Sequence, residues 1–459
     1  MSALSLVEAF NDMGVTENGM PTNLSSLDAN LDFFFLAGAS RGKDIRSVFG
    51  SAMGSNLDVA VRTLLWSRDV RGGAGERQTF RNLLSYLATN NTYQYREVVR
   101  KILPLVPDVG RWDDLLVLQN TAYWQDAVDM IRKALMNGDG LCAKWMPRKG
   151  PVAVDLRQRM GMTPKTYRKT LVNLTKVVET PMCANQWDKI NLEQVPSLAQ
   201  IRYRNAFTRH IPGLYADYVH KVETGEAKVN AGAVFPHDIV KNLGPLADKQ
   251  WEALPNYMEG NSERILPMCD VSGSMIGLPM DVSVSLGLYI SERNEGVFKD
   301  TVLTFSGSPT LVHLKAKGLK NRVHELSKIN WGMNTDLELA FSTILKKAKQ
   351  HNVPEEQMPT MVLILSDMEF DSCVDAPNRN ALTMIREEYE DAGYKLPKVV
   401  FWNLYGRQGN SPATFTEAGV ALVSGFSPSV LKGILGDMSQ FDPMNVMLQT
   451  VMTDRYNWQ

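Results

Sequence analysis

Residues 269–275 read CDVSGSM. They lie between RILPMC (264–269), an apolar run of strand length, and DVSVSLGLYISERN (281–294), whose apolar residues recur at helical intervals. One acid and two hydroxyls, Asp270, Ser272 and Ser274, are thereby gathered on a tight strand-to-helix turn. The same alternation continues through TVLTF, TLVHL, NTDLELAFSTILKKAKQ, TMVLILS, ALTMIREEYEDAG, KVVFWNLY, VALVS and SPSVLKGILG. Alternating apolar runs and amphipathic helices predict a doubly wound α/β domain with a largely parallel sheet. TVLTFSGSPTLVHL breaks the pattern and predicts a hairpin that adds an antiparallel edge strand.

In an open α/β sheet, ligands collect at the carboxyl ends of strands. Two further oxygen donors fall at such places: Thr335 in WGMNTDLELA and Asp367 in LILSDMEFD. Asp270, Ser272, Ser274, Thr335 and Asp367 offer only hard oxygens, two of them on carboxylates. That suits Mg²⁺, with Mn²⁺ or Ca²⁺ as alternatives, and leaves a coordination position for an outside anionic oxygen. No soft ligand is at hand for zinc. Asp and Ser before a helix are also ordinary caps, so the strand before, the helix after and the later Thr and Asp carry the metal reading.

The preceding half has another texture. Leu57, Val61, Leu64 and Leu65 recur at helix spacing, as do Phe80, Leu83, Leu84 and Leu87, then Val98, Val99, Ile102 and Leu103, with Pro104 and Pro107 closing that segment. Short helices in succession with few β signals predict an all-α region, either a stacked solenoid or an irregular bundle. The segment HKVETGEAKVNAGAVFPHDIVKNLGPL (220–246) has the composition of a connection. Two domains follow, residues 1–255 and 262–459.

The chain has 459 residues, 44 % hydrophobic and 22 % charged, an ordinary globular composition. No leader pattern opens it and its longest apolar runs are too short to span a bilayer, which predicts a cytoplasmic protein without a membrane partner. Cys142, Cys183, Cys269 and Cys373 show no C-x-x-C pair and read as buried free thiols. The net charge of −1 conceals a polarity. Lys144, Arg148, Lys149, Arg157, Arg159, Lys165, Arg168, Lys169, Arg202, Arg204, Arg209 and His210 crowd the middle of the chain, whereas acids outnumber bases after residue 351. Bases interleaved with Tyr203 and Phe207 fit phosphates and unpaired nucleobases, and equally fit a solvated helix face over a core. SRDVRGGAGERQ (67–78) invites a phosphate-loop reading, but it lacks G-K-[ST] and follows helices. A tight interhelical turn is the better expectation, with Arg77 and Arg81 free to meet RNA or pair with acids.

DVSGSM, NTD and ILSD resemble the metal-ion-dependent adhesion site of von Willebrand factor A domains, over residues 262–459. Matched position by position, the resemblance implies Mg²⁺ held by Asp270, Ser272, Ser274, Thr335 and Asp367. Many A domains place Gly after the second Asp, whereas Met368, Glu369 and Asp371 follow here. Most of the chain resembles the Ro autoantigen family, a helical TROVE module joined to an A domain. TENGMPTNLSSLDANLDFFF, WSRDVRGGAGERQTFRNLL, GRWDDLL, KWMPRKG, VPSLAQIRYRNAF, LSDMEFD and FWNLYG…VSGFSP carry that likeness. It implies HEAT-like repeats closed into a ring, small structured or single-stranded RNA on the basic surface, and a protein partner whose acidic side chain completes the metal shell. No catalytic residue is assigned. A protein-interaction scaffold without RNA and a Mg²⁺-dependent phosphoesterase are the alternatives.

Overall fold

The computed structural model describes residues 13–90, 92–232, 234–304, 309–329, 336–371, 381–406, 410–436 and 440–459. An N-terminal helical region is followed by a mixed α/β region with mostly parallel strands. The first described helix, Ala29–Ala37, starts where the Asp28 carboxylate accepts the Asn30 and Leu31 N–H groups. Its Phe33, Phe34 and Phe35 are all buried, so it needs cover on every side. Helices Arg46–Ser55 and Leu57–Arg68 pack on one face and the sheet on another.

Strands β3 (Ile265–Cys269), β4 (Thr301–Thr304), β5 (Leu311–His313), β6 (Met361–Ser366), β7 (Lys398–Asn403) and β8 (Val420–Ser424) form one sheet in the order β5-β4-β3-β6-β7-β8. All neighbours are parallel except β4 and β5, the antiparallel edge hairpin. Buried on both faces, β3, β6 and β8 read as unbroken apolar runs. The chain runs from β3 to β4 on one side and reaches β6 on the other. The crevice between the carboxyl ends of β3 and β6 is therefore the point where strand order reverses. Helix Leu278–Arg293 lies flush on β3, because a Cβ on Gly287 would come within 2.1 Å of Cys269 Sγ.

Two features depart from the sequence expectations. A short antiparallel pair, β1 (Met13–Val15) and β2 (Pro21–Asn23), opens the described chain and docks on the loop after β6 through a Gly19–Asp371 bridge. Three-residue strands are too short for a two-residue periodicity to register. The segment 220–246 is no free connection. It holds helix Pro236–Lys241, which packs on Leu278–Arg293, with Val234 and Ile239 buried.

The two halves share one hydrophobic core that runs from Met20 to Trp458, and a smaller separate cluster joins Ile190, Phe207, Tyr215 and Tyr218. Polar contacts fasten the seam. Ser424 Oγ donates to the Phe34 carbonyl at 2.7 Å and accepts the Gly38 N–H at 3.0 Å. Arg455 pairs with Asp69, and Trp458 Nε1 donates to Asp58 at 2.8 Å. The helical path that leaves through Gln78–Thr89 returns at Phe235, whose ring lies against Gly75, a glycine at φ +71°. Among the described residues no helix is long and apolar enough to cross a membrane.

Candidate functional site

Asp270 and Asp367 follow neighbouring strands, β3 and β6, whose register aligns Cys269 with Leu365. The Asp270 N–H continues that ladder to the Leu365 carbonyl at 3.0 Å. Both carboxylates are 1 % exposed. Asp270 Oδ1 accepts the Ser272 N–H at 2.9 Å, and Oδ2 accepts the Ser366 hydroxyl at 2.6 Å. The Ser272 and Ser274 hydroxyls stand 3.0 Å apart on the same turn, Ser272 buried and Ser274 facing solvent. Burial, and then the Asp367 charge, push the Asp270 carboxyl up to about 6. Two buried like charges beside two hydroxyls fit a divalent oxygen-seeking cation, which would relieve the repulsion. Thr335 lies outside the described residues. Among those described, no three His, Cys, Asp or Glu side chains form a cluster for a metal.

The loop after β6 explains the departure at Met368. This residue has φ +71°, the left-handed conformation that glycine adopts without cost, and its side chain is 2 % exposed. The backbone shape of a glycine is thus kept while methionine fills the core. Glu369 turns away to the N-terminal segment: its carboxylate accepts the Glu17 N–H and the Asn410 side-chain amide, each at 2.6 Å. The Thr16 hydroxyl donates to the Phe370 carbonyl, also at 2.6 Å. Sequence reasoning missed Ser366 and this use of Glu369. A serine ending an apolar run was the available signal.

The basic residues divide into groups. Gly150, at φ +89°, precedes helix Pro151–Arg159, and Thr163 caps helix Pro164–Leu174. Between these helices runs a groove of about 680 Å³, lined by Arg148, Lys149, Arg157, Lys165 and Arg168 over an apolar floor that includes Val154, Leu171 and Val172. None of its lining residues is acidic. Lys169 is exposed on the same helix. Other members of the group are engaged elsewhere. Arg159 pairs with Asp155 at 3.0 Å and donates to Gln125. Arg204 donates to the Leu243 carbonyl at 2.9 Å, and Lys144 sits over the Trp145 ring. His210 stacks on Trp187 with centroids 4.1 Å apart, while Arg202 and Arg209 are exposed on helix Ser197–His210. The Tyr203 hydroxyl donates to Glu179 and Phe207 is fully buried, so the core role holds for Phe207.

Of the cysteines, Cys142 and Cys269 are buried free thiols; burial pushes Cys269 up to about 12. Cys183 is exposed, contrary to expectation, because the short helix Glu179–Cys183 buries none of its residues. Cys373 lies outside the described residues.

Residues 264–456 match the family described as Domain of unknown function (DUF7788), and residues 157–263 match Domain of unknown function (DUF2828). The two matches meet just before β3. An uncharacterized protein of Acanthamoeba polyphaga mimivirus is 28 % identical over 503 residues, spanning 96 % of this chain and 87 % of that protein.

Proposed function

We propose that this is a non-enzymatic RNA-binding protein of the Ro type, which holds single-stranded ends or small structured RNA on its helical half. The observation that carries the reading is the groove between Pro151–Arg159 and Pro164–Leu174, with five basic side chains and no acid among its lining. Cations neutralise phosphates, and the apolar floor gives bases a surface that hydroxyl-rich ligands would not need. The meeting of Gly75 with Phe235 supports a helical path that closes on itself, as a HEAT-like ring requires.

The second half is read as an A domain with an adhesion-type metal site. Asp270, Ser272, Ser274 and Asp367 would hold Mg²⁺, with Thr335 as the remaining candidate, and the ion would supply an anchoring point for an acidic side chain of a partner. Ile276, 73 % exposed beside Ser274, gives that partner an apolar contact.

Fluorescence anisotropy with a labelled single-stranded RNA at low salt tests the first half of this reading, with an acidic peptide as competitor. Binding that falls with salt and resists the peptide supports it. Absence of RNA binding, with tight binding of the peptide, would replace it by the protein-interaction scaffold.

A further inference from the structure

We infer that the helical half carries a second anion site, a pocket for a phosphate monoester, built around the turn SRDVRGGAGERQ. It goes beyond the RNA groove and uses none of the groove's side chains. The pocket, of about 340 Å³, is lined by Arg41, Arg68, Arg77 and Arg111 against one carboxylate, Glu76. That volume lies at the lower end of small-ligand sites.

Each guanidinium is positioned by its own contact. Arg68 ends helix Leu57–Arg68, is 1 % exposed, and donates from Nε to Asp114 Oδ2 at 2.7 Å. Arg111 lies over the Trp145 ring and is held by Asp113 at 3.1 Å. Arg41 lies 3.3 Å over the Phe426 ring and donates from Nη1 to Glu76 Oε2 at 3.0 Å. Its Nε and Nη2 are buried with no hydrogen-bond partner. Arg77 is exposed at the mouth and makes no ion pair among the described residues.

The charge balance is uneven. Glu76 is spent on Arg41 and on the Thr79 N–H, while Asp113 and Asp114 are shared with Arg81. Among the described residues, the four lining arginines and Arg81 therefore meet three carboxylates in this cluster, an excess of two positive charges. Burial lowers the basicity of Arg41, and lowers that of Arg111, on which Arg77 and Arg68 act in the same direction. An oxyanion with two charges balances that excess, bound through the guanidinium nitrogens that open on the pocket. A phosphate monoester fits better than a carboxylate. It carries the matching charge, and its three terminal oxygens can serve more than one planar donor fork. The lack of a G-K-[ST] lysine and of a preceding strand sets this pocket apart from a nucleoside-triphosphate loop.

The phosphate belongs either to a small molecule or to the end of a nucleic-acid strand, and one set of titrations distinguishes them. Isothermal titration of the full chain with inorganic phosphate and with AMP, at low salt in a phosphate-free buffer, is compared with anisotropy of one short RNA bearing either a 5′-phosphate or a 5′-hydroxyl. Phosphate binding should weaken at least about tenfold in Arg77→Gln, the worth of one charge-assisted hydrogen bond, and stay unchanged in Lys165→Gln. Arg77 is exposed and unpaired, so its loss leaves the fold intact, and unchanged thermal unfolding verifies this. A preference for the 5′-phosphorylated RNA that Arg77→Gln abolishes assigns the pocket to strand ends. Equal binding of the two RNAs with tight AMP assigns it to a small phosphate. No binding of phosphate, AMP or the 5′-phosphate at millimolar concentration overturns the inference. So does binding that Arg77→Gln leaves unaltered, or that Lys165→Gln weakens equally.

Discussion

Replacing Asp270 by Asn should make the metal-free protein more stable at pH 8 while abolishing its response to magnesium. In the folded chain the Asp270 carboxyl is raised from its ordinary 3.8 to about 6. Between those values the folded state binds the extra proton, so stability falls as pH rises through that window. Above about pH 6 the metal-free protein carries the full penalty of the buried charge, about 3 kcal/mol. Asparagine is nearly isosteric and keeps one oxygen for the Ser272 N–H or the Ser366 hydroxyl, but it loses the charge assistance of both bonds. A net gain of roughly 1–2 kcal/mol remains. Magnesium should stabilise the natural protein instead, by about 2.7 kcal/mol at a hundred times its dissociation constant, and leave Asp270→Asn unmoved. Thermal unfolding in EDTA and in MgCl₂, for both proteins at pH 8, measures each quantity. An Asp270→Asn protein less stable than the natural one in EDTA would refute the buried-charge penalty, and a natural protein whose midpoint magnesium leaves unmoved would refute the metal site.

Three further outcomes are expected. Lys165→Glu with Arg168→Glu should lower RNA affinity and flatten the log–log salt dependence by about 0.7 for each phosphate no longer neutralised; a variant with the natural slope would remove the groove from the site. Met368→Gly should be more stable than Met368→Ala by about 1 kcal/mol in chemical denaturation, reversing the usual order, because the left-handed backbone strains any side chain. Both should lie below the natural protein, since each removes a buried methionine. His237 stacks on Phe235, and burial, opposed by the Asp238 carboxylate and reinforced by Arg41, lowers its pKa from 6.5. Protonation then favours the unfolded chain, so stability drops as pH falls below about 6.5, by at most about 1.4 kcal/mol per pH unit. His237→Phe should lose less stability than the natural chain between pH 7 and pH 5.5, and equal losses would contradict that assignment.

The α/β half was legible because strands buried on both faces leave unbroken apolar runs, and because strand ends in open sheets collect polar side chains. Asp270 and Asp367 were identifiable on those grounds. Ser366 was not, since its bond to Asp270 depends on the register of β3 against β6, which no local pattern encodes. The basic cluster was visible as composition, yet its division was only half so. Arg159 is four residues after Asp155, a spacing that already announces an ion pair. Arg204 is committed to a carbonyl 39 residues away, and no local spacing predicts that. Helix Ala29–Ala37 buries three adjacent phenylalanines, and what covers it, β8 from the far end of the chain, is a fact of the tertiary fold.

Ultraviolet crosslinking of a photoreactive single-stranded RNA to the full protein, followed by peptide mapping, bears most directly on the RNA reading. Crosslinks concentrated on residues 144–176, around the groove, are the predicted result. Crosslinks confined to the six-stranded sheet and its helices, with the groove peptides recovered unmodified, would contradict it.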